Sequence, residues 1–178
     1  MAAFELPDPN GRAGGACTTA FLNVVYADHH KPDEDLSFQD VLTKMRTVLT
    51  TQDFEQILQL SSSCPMDIGT KFDLTPENSS GRKRAVSIGI NCVGQSGELR
   101  ACHNDVLSMV DYIKDTHGFK DNDIIIPIDN GGHADPTRDN ILGAYSKITN
   151  KSESGDVVFL HYSGKKQCNI AVLALYSR

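Results

Sequence analysis

The apolar positions in the first third of the chain recur with the spacing of an α-helix. Between residues 37 and 50 they lie three or four positions apart: Phe38, Val41, Leu42, Met45, Val48 and Leu49. This spacing predicts an amphipathic helix. Ser37 stands directly before it and Asp40 follows three residues later, so Ser37 is the predicted N-cap. Residues 14–28 form a second apolar segment, and we interpret residues 1–63 as a helical region.

From residue 84 onward, short apolar runs alternate with segments of helical spacing. The runs 84–91 (RAVSIGIN), 123–129 (DIIIPID) and 156–163 (DVVFLHYS) are predicted strands, and 102–116 and 137–149 are predicted helices. Strands that are apolar throughout and joined by helices indicate a parallel sheet covered on both faces. Functional side chains are then expected at the carboxyl ends of the strands. Residues 169–176 form a further apolar run that resembles an edge strand.

The segment between these two parts has the composition of a linker. Residues 61–83 hold three consecutive serines, two prolines and an Asn-Ser-Ser-Gly stretch, with few large apolar residues. The predicted organisation is therefore a helical region at 1–63, a linker at 64–82 and an α/β domain at 83–178.

Composition narrows the classes of partner. The chain has 178 residues and a net charge of −6, and its basic clusters are confined to 82–84 and 165–166. Nucleic acid and anionic membranes both require concentrated Lys and Arg, so neither is expected as the main partner. No apolar run reaches the roughly 18–20 residues of a membrane helix, and no basic stretch followed by an apolar core marks a secretory signal. We therefore expect a cytoplasmic protein.

The cysteines and histidines lack the spacing of a metal site. The five cysteines form no CxxC pair, and the six histidines form no HxxxH or HExxH pattern. An odd number of cysteines without a secretory signal indicates free thiols rather than a disulfide framework. No zinc site is expected.

Three segments of the α/β part together resemble the large-subunit region of the metacaspases, a family of caspase-like cysteine peptidases. They are KRAVSIGINCVGQSGELRACHNDV at 83–106, DNDIIIPIDNGGHADPTRDNI at 121–141 and GDVVFLHYSG at 155–164. The N-terminal region resembles the small-subunit region of the same family, which in most members follows the large one. The order found here is similar to that of the type III metacaspases of algae. The resemblance implies an α/β, caspase-like parallel-sheet sandwich, incomplete at its C-terminus.

The resemblance also implies that the catalytic dyad is missing. In the family a histidine directly follows Tyr-Ser-Gly, and Lys165 occupies that position here. The nucleophile lies in an Asp-x-Cys-x-Ser-Gly motif, which does not occur in this sequence. Cys102 and His103 are helix neighbours that point about 100° apart, so they cannot act as a dyad with each other. A pairing of Cys168 with His161 is a further candidate, but a histidine in mid-strand is more often packed in the core.

Two residues of the "C-x-N-D" segment are candidates for substrate binding. The resemblance places Asp105 in an acidic pocket that receives the Arg or Lys side chain before the cut bond, and Cys102 beside that pocket. A carboxylate suits this role because a buried guanidinium needs a paired anion. The alternative for Asp105 is capping of the helix start together with Asn104. The alternative for Cys102 is packing.

The family is typically activated by calcium through Asp residues downstream of the nucleophile, and those positions are not found in this sequence. The acidic turn at 129–135 lacks the bidentate Glu of a calcium loop, so we expect no cofactor.

Three functions remain open. The first is an Arg/Lys-directed cysteine endopeptidase by descent that is inactive as this chain stands. The second is a pseudoenzyme that binds or regulates intact metacaspases through an exposed sheet edge. The third is a small α/β binding module that shares only motifs with caspases.

Overall fold

The computed structural model describes residues 5–7, 13–27, 35–54, 56–75, 79, 81–164 and 172–177. The elements in these residues follow in chain order: β1 (Glu5–Pro7), β2 (Ala13–Gly15), α1 (Ala16–Val25), α2 (Phe38–Thr51), β3 (Lys83–Ile90), α3 (Cys102–His117), β4 (Ile124–Ile125), α4 (Arg138–Lys151), β5 (Val157–Gly164) and β6 (Val172–Ser177). None of the described helices is long and apolar enough to cross a membrane.

The predicted parallel sheet is confirmed. Its order is β4-β3-β5-β6, with β3 parallel to both β4 and β5. The strand β6 pairs antiparallel with β5, which matches the edge strand suggested by residues 169–176. Helices cover both faces of the sheet: α1 and α3 pack on one side and α4 packs on the other. The α/β class is therefore confirmed.

The third predicted strand is much shorter than expected. We predicted a continuous strand over 123–129, but the ladder with β3 contains only Ile124 and Ile125. Pro127 explains the break, since proline has no N–H to donate to a ladder and restricts the residue before it. Pairing returns only as a single bridge between Gly89 and Ile128, beside a hydrogen bond from the Gly89 N–H to the Pro127 carbonyl oxygen at 3.1 Å.

The N-terminal region is only partly helical, which corrects our interpretation of 1–63. Two helices form as expected, but β1 and β2 pair as an antiparallel ladder ahead of α1, and residues 56–63 contain neither helix nor strand. The glycine pair Gly14-Gly15 disfavours extension of α1 toward the N-terminus, since glycine is a poor helix former. The strand β2 leads directly into α1, so its last residue, Gly15, is also the N-cap of that helix.

One hydrophobic cluster joins the N-terminal helices to the sheet. Phe21 of α1 lies edge-on to Tyr112 of α3, with ring centroids 5.5 Å apart, and to Phe72 of the linker at 5.9 Å. Phe159 of β5 belongs to the same cluster and is fully buried. The linker is held as an extended strap by a hydrogen bond of 2.6 Å from the Phe72 N–H to the Leu36 carbonyl oxygen. These contacts pack the N-terminal region against α3 and one face of the sheet.

Candidate functional site

The chemistry-bearing residues gather where β3 and β5 end and α3 begins. Ile90 and Gly164, the last residues of the two central strands, lie opposite each other in the ladder. The helix α3 starts at Cys102, and its first turn includes Asp105. Both candidate substrate-binding residues therefore lie at the carboxyl edge of the sheet, where parallel strands present functional side chains.

The carboxylate of Asp105 is buried and contacts two other elements. Its Oδ1 accepts a hydrogen bond of 2.7 Å from the backbone N–H of Gly15, ninety positions away along the chain. Its Oδ2 accepts a short hydrogen bond from the hydroxyl of Ser163, near the end of β5. Only 3% of Asp105 is exposed to solvent. The residue therefore connects the N-terminal region, α3 and the central strand β5.

These contacts bear on the two roles considered for Asp105. The N-cap of α3 is Ala101, which makes no side-chain cap hydrogen bond, and Asp105 lies in the first turn. Its negative charge is favoured there by the helix dipole. The hydrogen bonds from Gly15 and Ser163 also join it to elements outside α3, so capping of α3 alone does not describe its contacts, and its role in substrate binding stays a prediction.

Cys102 is buried and its thiol is protonated at neutral pH. Its backbone N–H donates to Oδ1 of Asn91 at 3.0 Å, which fixes the start of α3 against the end of β3. Burial is the main cause that raises the pKa of Cys102 to about 12; the charge of Asp105 adds to it, and a hydrogen bond with Ser163 opposes it. Since the thiolate is the nucleophilic form, Cys102 is not an activated nucleophile.

Asp129 and His103 form a hydrogen-bonded pair beside this site. Nε2 of His103 lies 2.6 Å from Oδ1 of Asp129, and the same carboxylate accepts hydrogen bonds from the N–H groups of Asn91 (2.9 Å) and Val93 (3.3 Å). Partial burial acts to raise the pKa of Asp129, but these hydrogen bonds outweigh it and lower the pKa to about 2. The carboxylate thereby fixes the loop that follows β3.

His161 lies in the interior of the sheet, as its mid-strand position predicted. It is 2% exposed, and its Nδ1 lies 2.8 Å from Oγ of Ser87 on the neighbouring strand β3. Burial lowers the pKa of His161 to about 4, so the ring is neutral at physiological pH. Cys168, with which His161 was considered as a pair, lies outside the described residues.

Lys165 also lies outside the described residues. The described part of β5 ends at Gly164, one position before it. Whether Lys165 takes the place of the family's histidine therefore stays a prediction.

The described residues hold no group of three or more His, Cys, Asp or Glu side chains arranged to bind a metal ion. The carboxylate of Asp129, in the acidic turn, is directed instead to His103 and two backbone N–H groups. The expectation that the chain binds no cofactor stays a prediction.

That Asp105 and Cys102 bind a substrate stays a prediction, and sequence reasoning did not indicate two residues, Ser163 and Gly15, that contact Asp105. Ser163 was quoted as part of the Tyr-Ser-Gly segment without a role, although a hydroxyl at the end of a central strand is a recognisable signal. Gly15 carried no such signal, because nothing local to it indicates a partner ninety positions away.

Comparison with known protein families defines the class. Residues 83–171 match the model of the metacaspase, peptidase C14 domain. The chain therefore belongs to the metacaspase family, whose members are caspase-like cysteine peptidases, and its parallel sheet between helices is consistent with the caspase-like fold.

Among individual relatives, one matches this chain well beyond that domain. Metacaspase III c of Phaeodactylum tricornutum is 49% identical over 165 residues, which cover 92% of this chain and 49% of that protein. Metacaspase-7 of Arabidopsis thaliana is 45% identical over 83 residues, 46% of this chain and 21% of that protein. Metacaspase-1 of Sclerotinia sclerotiorum is 39% identical over 89 residues, 49% of this chain and 21% of that protein. The chain thus spans about half the length of its type III relative and about a fifth of the others.

Proposed function

We propose that this chain carries the part of a metacaspase site that binds a basic side chain, and that the chain by itself does not cleave peptides. The observation that carries the first half is the buried carboxylate of Asp105 at the carboxyl edge of the sheet. A carboxylate in this position suits the guanidinium of Arg or the ammonium of Lys, since charge-assisted hydrogen bonds are strong where water is excluded. Protein or peptide segments with Arg or Lys before the cut bond are the proposed ligands.

The contacts of Asp105 suggest how a cation binds there. An ionised carboxylate has about four acceptor positions, and Gly15 and Ser163 each donate to one of its two oxygens. The hydroxyl of Ser163 turns about a single side-chain bond, whereas the N–H of Gly15 is fixed in the backbone. We expect an incoming guanidinium to displace the hydroxyl from Oδ2 while the bond from Gly15 remains.

The second half of the proposal rests on residue chemistry. The Asp-x-Cys-x-Ser-Gly motif does not occur in the sequence, and the resemblance to the family puts Lys165 at the position of the histidine. A lysine retains its proton at neutral pH unless it is deeply buried, so it is a poor general base. The pKa of Cys102, raised to about 12 mainly by burial, makes that thiol an unsuitable replacement.

Ligand binding tests the first half. Benzamidine, whose planar amidinium resembles that of arginine, is titrated into the protein and followed by NMR. We expect the resonances of Asp105 and Ser163 to move, and we expect Asp105→Asn to abolish the effect. Asp135→Asn is the matched control, because it also removes one carboxylate but at an exposed position in the acidic turn. Binding that survives Asp105→Asn contradicts the proposal.

Peptidase assays test the second half. Fluorogenic peptides with Arg before the cut bond are offered to the wild-type chain and to Lys165→His, each with and without calcium. We expect no turnover from either, because the histidine alone does not supply a nucleophile. Arg-directed turnover by the wild-type chain that is lost in Cys102→Ser or Cys168→Ser would overturn the claim of inactivity and identify the nucleophile.

A second candidate is a pseudoenzyme that pairs with intact metacaspases. It is favoured by the sheet order, in which β6 is the last of the described strands and has β5 as its single neighbour. An edge strand of this kind can receive a strand from another chain. Co-purification with an intact metacaspase from the same cell, lost when Ala174 is changed to Pro, supports this role. Failure of any intact metacaspase to co-purify counts against it.

We also propose a cytoplasmic location. In support, the four cysteines within the described residues, Cys17, Cys64, Cys92 and Cys102, are free thiols, which suits a reducing compartment.

A further inference from the structure

The backbone of the N-terminal region reaches the proposed basic-side-chain site at one residue. Gly15 ends β2, is the N-cap of α1, and donates its N–H to Oδ1 of Asp105 at 2.7 Å. The carboxylate of Asp105 thus lies in the first turn of α3 and accepts a hydrogen bond from the cap of α1. The N-terminal ends of two helices, both favourable to negative charge, therefore meet at a single carboxylate.

Space, rather than backbone conformation, explains why residue 15 is a glycine. Its φ of −66° and ψ of 138° are accessible to every residue type. A Cβ added there, however, would lie 2.6 Å from Oδ2 of Asp105 and 3.5 Å from its Cγ. The first separation is well inside van der Waals contact, so a side chain at residue 15 forces the carboxylate to turn.

We infer that Gly15 is a positioning residue that sets the orientation of the Asp105 carboxylate for binding a planar, bidentate cation. This inference rests on the proposed function of the site. Gly15 fixes Oδ1 through a backbone N–H that cannot rotate, and Ser163 occupies Oδ2 until a ligand arrives. The N-terminal region therefore completes the site, although it precedes the α/β part in the sequence.

The geometry predicts a selective effect of a side chain at residue 15. Bidentate binding requires the plane of the carboxylate to coincide with the plane of the amidinium, whereas an alkylammonium is a point charge that tolerates rotation of the carboxylate. Turning the carboxylate should therefore weaken binding of an amidinium more than binding of an ammonium. A general loss of structure would weaken both ligands alike.

The experiment compares benzamidine with n-butylammonium, each titrated into the wild-type chain, Gly15→Ala and Gly143→Ala. Gly143 is the matched control, because a Cβ added at this exposed glycine of α4 meets nothing within 4 Å. We expect Gly15→Ala to weaken benzamidine binding roughly tenfold, as expected for the loss of one charge-assisted hydrogen bond, and butylammonium binding by less than about threefold. Gly143→Ala should change neither. An unchanged ratio of the two affinities in Gly15→Ala overturns the inference.

A second measurement separates this inference from the proposed function and needs no change at residue 15. The amide of Gly15 is followed by hydrogen exchange and by its proton chemical shift in the wild-type chain and in Asp105→Asn. We expect slow exchange and a downfield proton in the wild type, with the shift altered in Asp105→Asn. If the wild type binds no benzamidine, the proposed function fails. A protected Gly15 amide would in that case still support the hydrogen bond from Gly15 to the Asp105 carboxylate. If the Gly15 amide exchanges freely in the wild type, the inference fails whatever the ligand does.

Discussion

At the scale of single residues, His161 shows how the sheet interior accommodates a polar side chain. The ring is almost completely buried, and its Nδ1 lies 2.8 Å from the hydroxyl of Ser87. Its Nε2 has no hydrogen-bond partner among the described residues. An unpartnered nitrogen in the interior costs free energy, and a charged imidazole there would cost more. Burial therefore lowers the pKa of His161 to about 4.

This lowered pKa predicts a loss of stability in mild acid. The unfolded chain takes up a proton near pH 6.5, whereas folded His161 takes it up only near pH 4, so the free energy of unfolding falls as the pH drops between these values. We expect a loss of about 2 kcal/mol from this residue between pH 7.5 and pH 5. Urea unfolding at the two pH values measures it.

The double variant Ser87→Ala/His161→Leu is the control for that measurement. Because it replaces both partners with apolar groups, we expect stability within about 1 kcal/mol of wild type at pH 7.5. It should also show a smaller loss at pH 5. An equal loss in the two proteins means that other groups cause the acid sensitivity.

The lowered pKa of Asp129 predicts a second loss of stability, at a lower pH than the loss caused by His161. Partial burial raises its pKa, but hydrogen bonds from His103, Asn91 and Val93 lower it to about 2. The stability contributed by these bonds is complete above the unfolded pKa near 4 and is lost as the pH falls toward 2. In Asp129→Asn, acid unfolding monitored by circular dichroism should therefore be less steep between pH 4 and pH 2. A profile identical to wild type contradicts the assignment.

At the scale of elements, α2 is the helix whose start is defined best. The hydroxyl of Ser37 accepts a hydrogen bond from the Asp40 N–H, and the Asp40 carboxylate accepts one from the Ser37 N–H at 2.9 Å, which completes a capping box.

We expect Ser37→Ala to lower the free energy of unfolding by about 1 kcal/mol. Thr43→Ala, at an exposed position inside α2, should leave stability unchanged or raise it slightly. Thermal unfolding of both variants measures the difference. Equal stability of Ser37→Ala and the wild type would mean that the N-cap hydrogen bond of Ser37 does not stabilise the protein.

The same element shows what the sequence can and cannot predict. The capping box of α2 was predictable because all its atoms come from four consecutive residues, and α3 and β5 were predictable from local apolar spacing. The length of β4 was predicted wrongly, because an unbroken apolar run indicated a continuous strand although Pro127 has no N–H to donate to the ladder. The contact of Gly15 with Asp105 was not predictable, because it depends on how two distant segments pack. Motif resemblance singled out Asp105 as a candidate, but only the packing reveals which groups donate hydrogen bonds to its carboxylate.

At the scale of the whole molecule, the predicted division into 1–63, 64–82 and 83–178 can be tested by cooperativity. The main hydrophobic cluster contains residues from all three segments, including Phe21, Leu74 and Phe159. Elements that share one core are expected to unfold together in a single transition. Independent domains would instead each have a core of their own.

Phe21→Ala distinguishes these two cases. The ring is 3% exposed and touches both Tyr112 of α3 and Phe72 of the linker, so its removal should cost about 3–5 kcal/mol. Native-state hydrogen exchange then reports which elements lose protection. If the chain is one cooperative unit, β3 amides such as those of Val86 and Ile88 should lose as much protection as those of α1 and α2, although Phe21 lies in neither β3 nor α2.

The control is Leu142→Ala, which removes an apolar side chain that is 45% exposed on α4. It should change protection in every element by less than about 1 kcal/mol, since its side chain leaves little new cavity. Loss of protection in α1 and α2 with β3 unchanged would mean that the N-terminal region opens independently of the sheet. Asp105 would then lose the Gly15 N–H whenever that region opens, and the affinity of the site for a cation would depend on the stability of a segment 90 positions away from it. Equal loss in all elements would mean that the carboxylate keeps this donor throughout the native state.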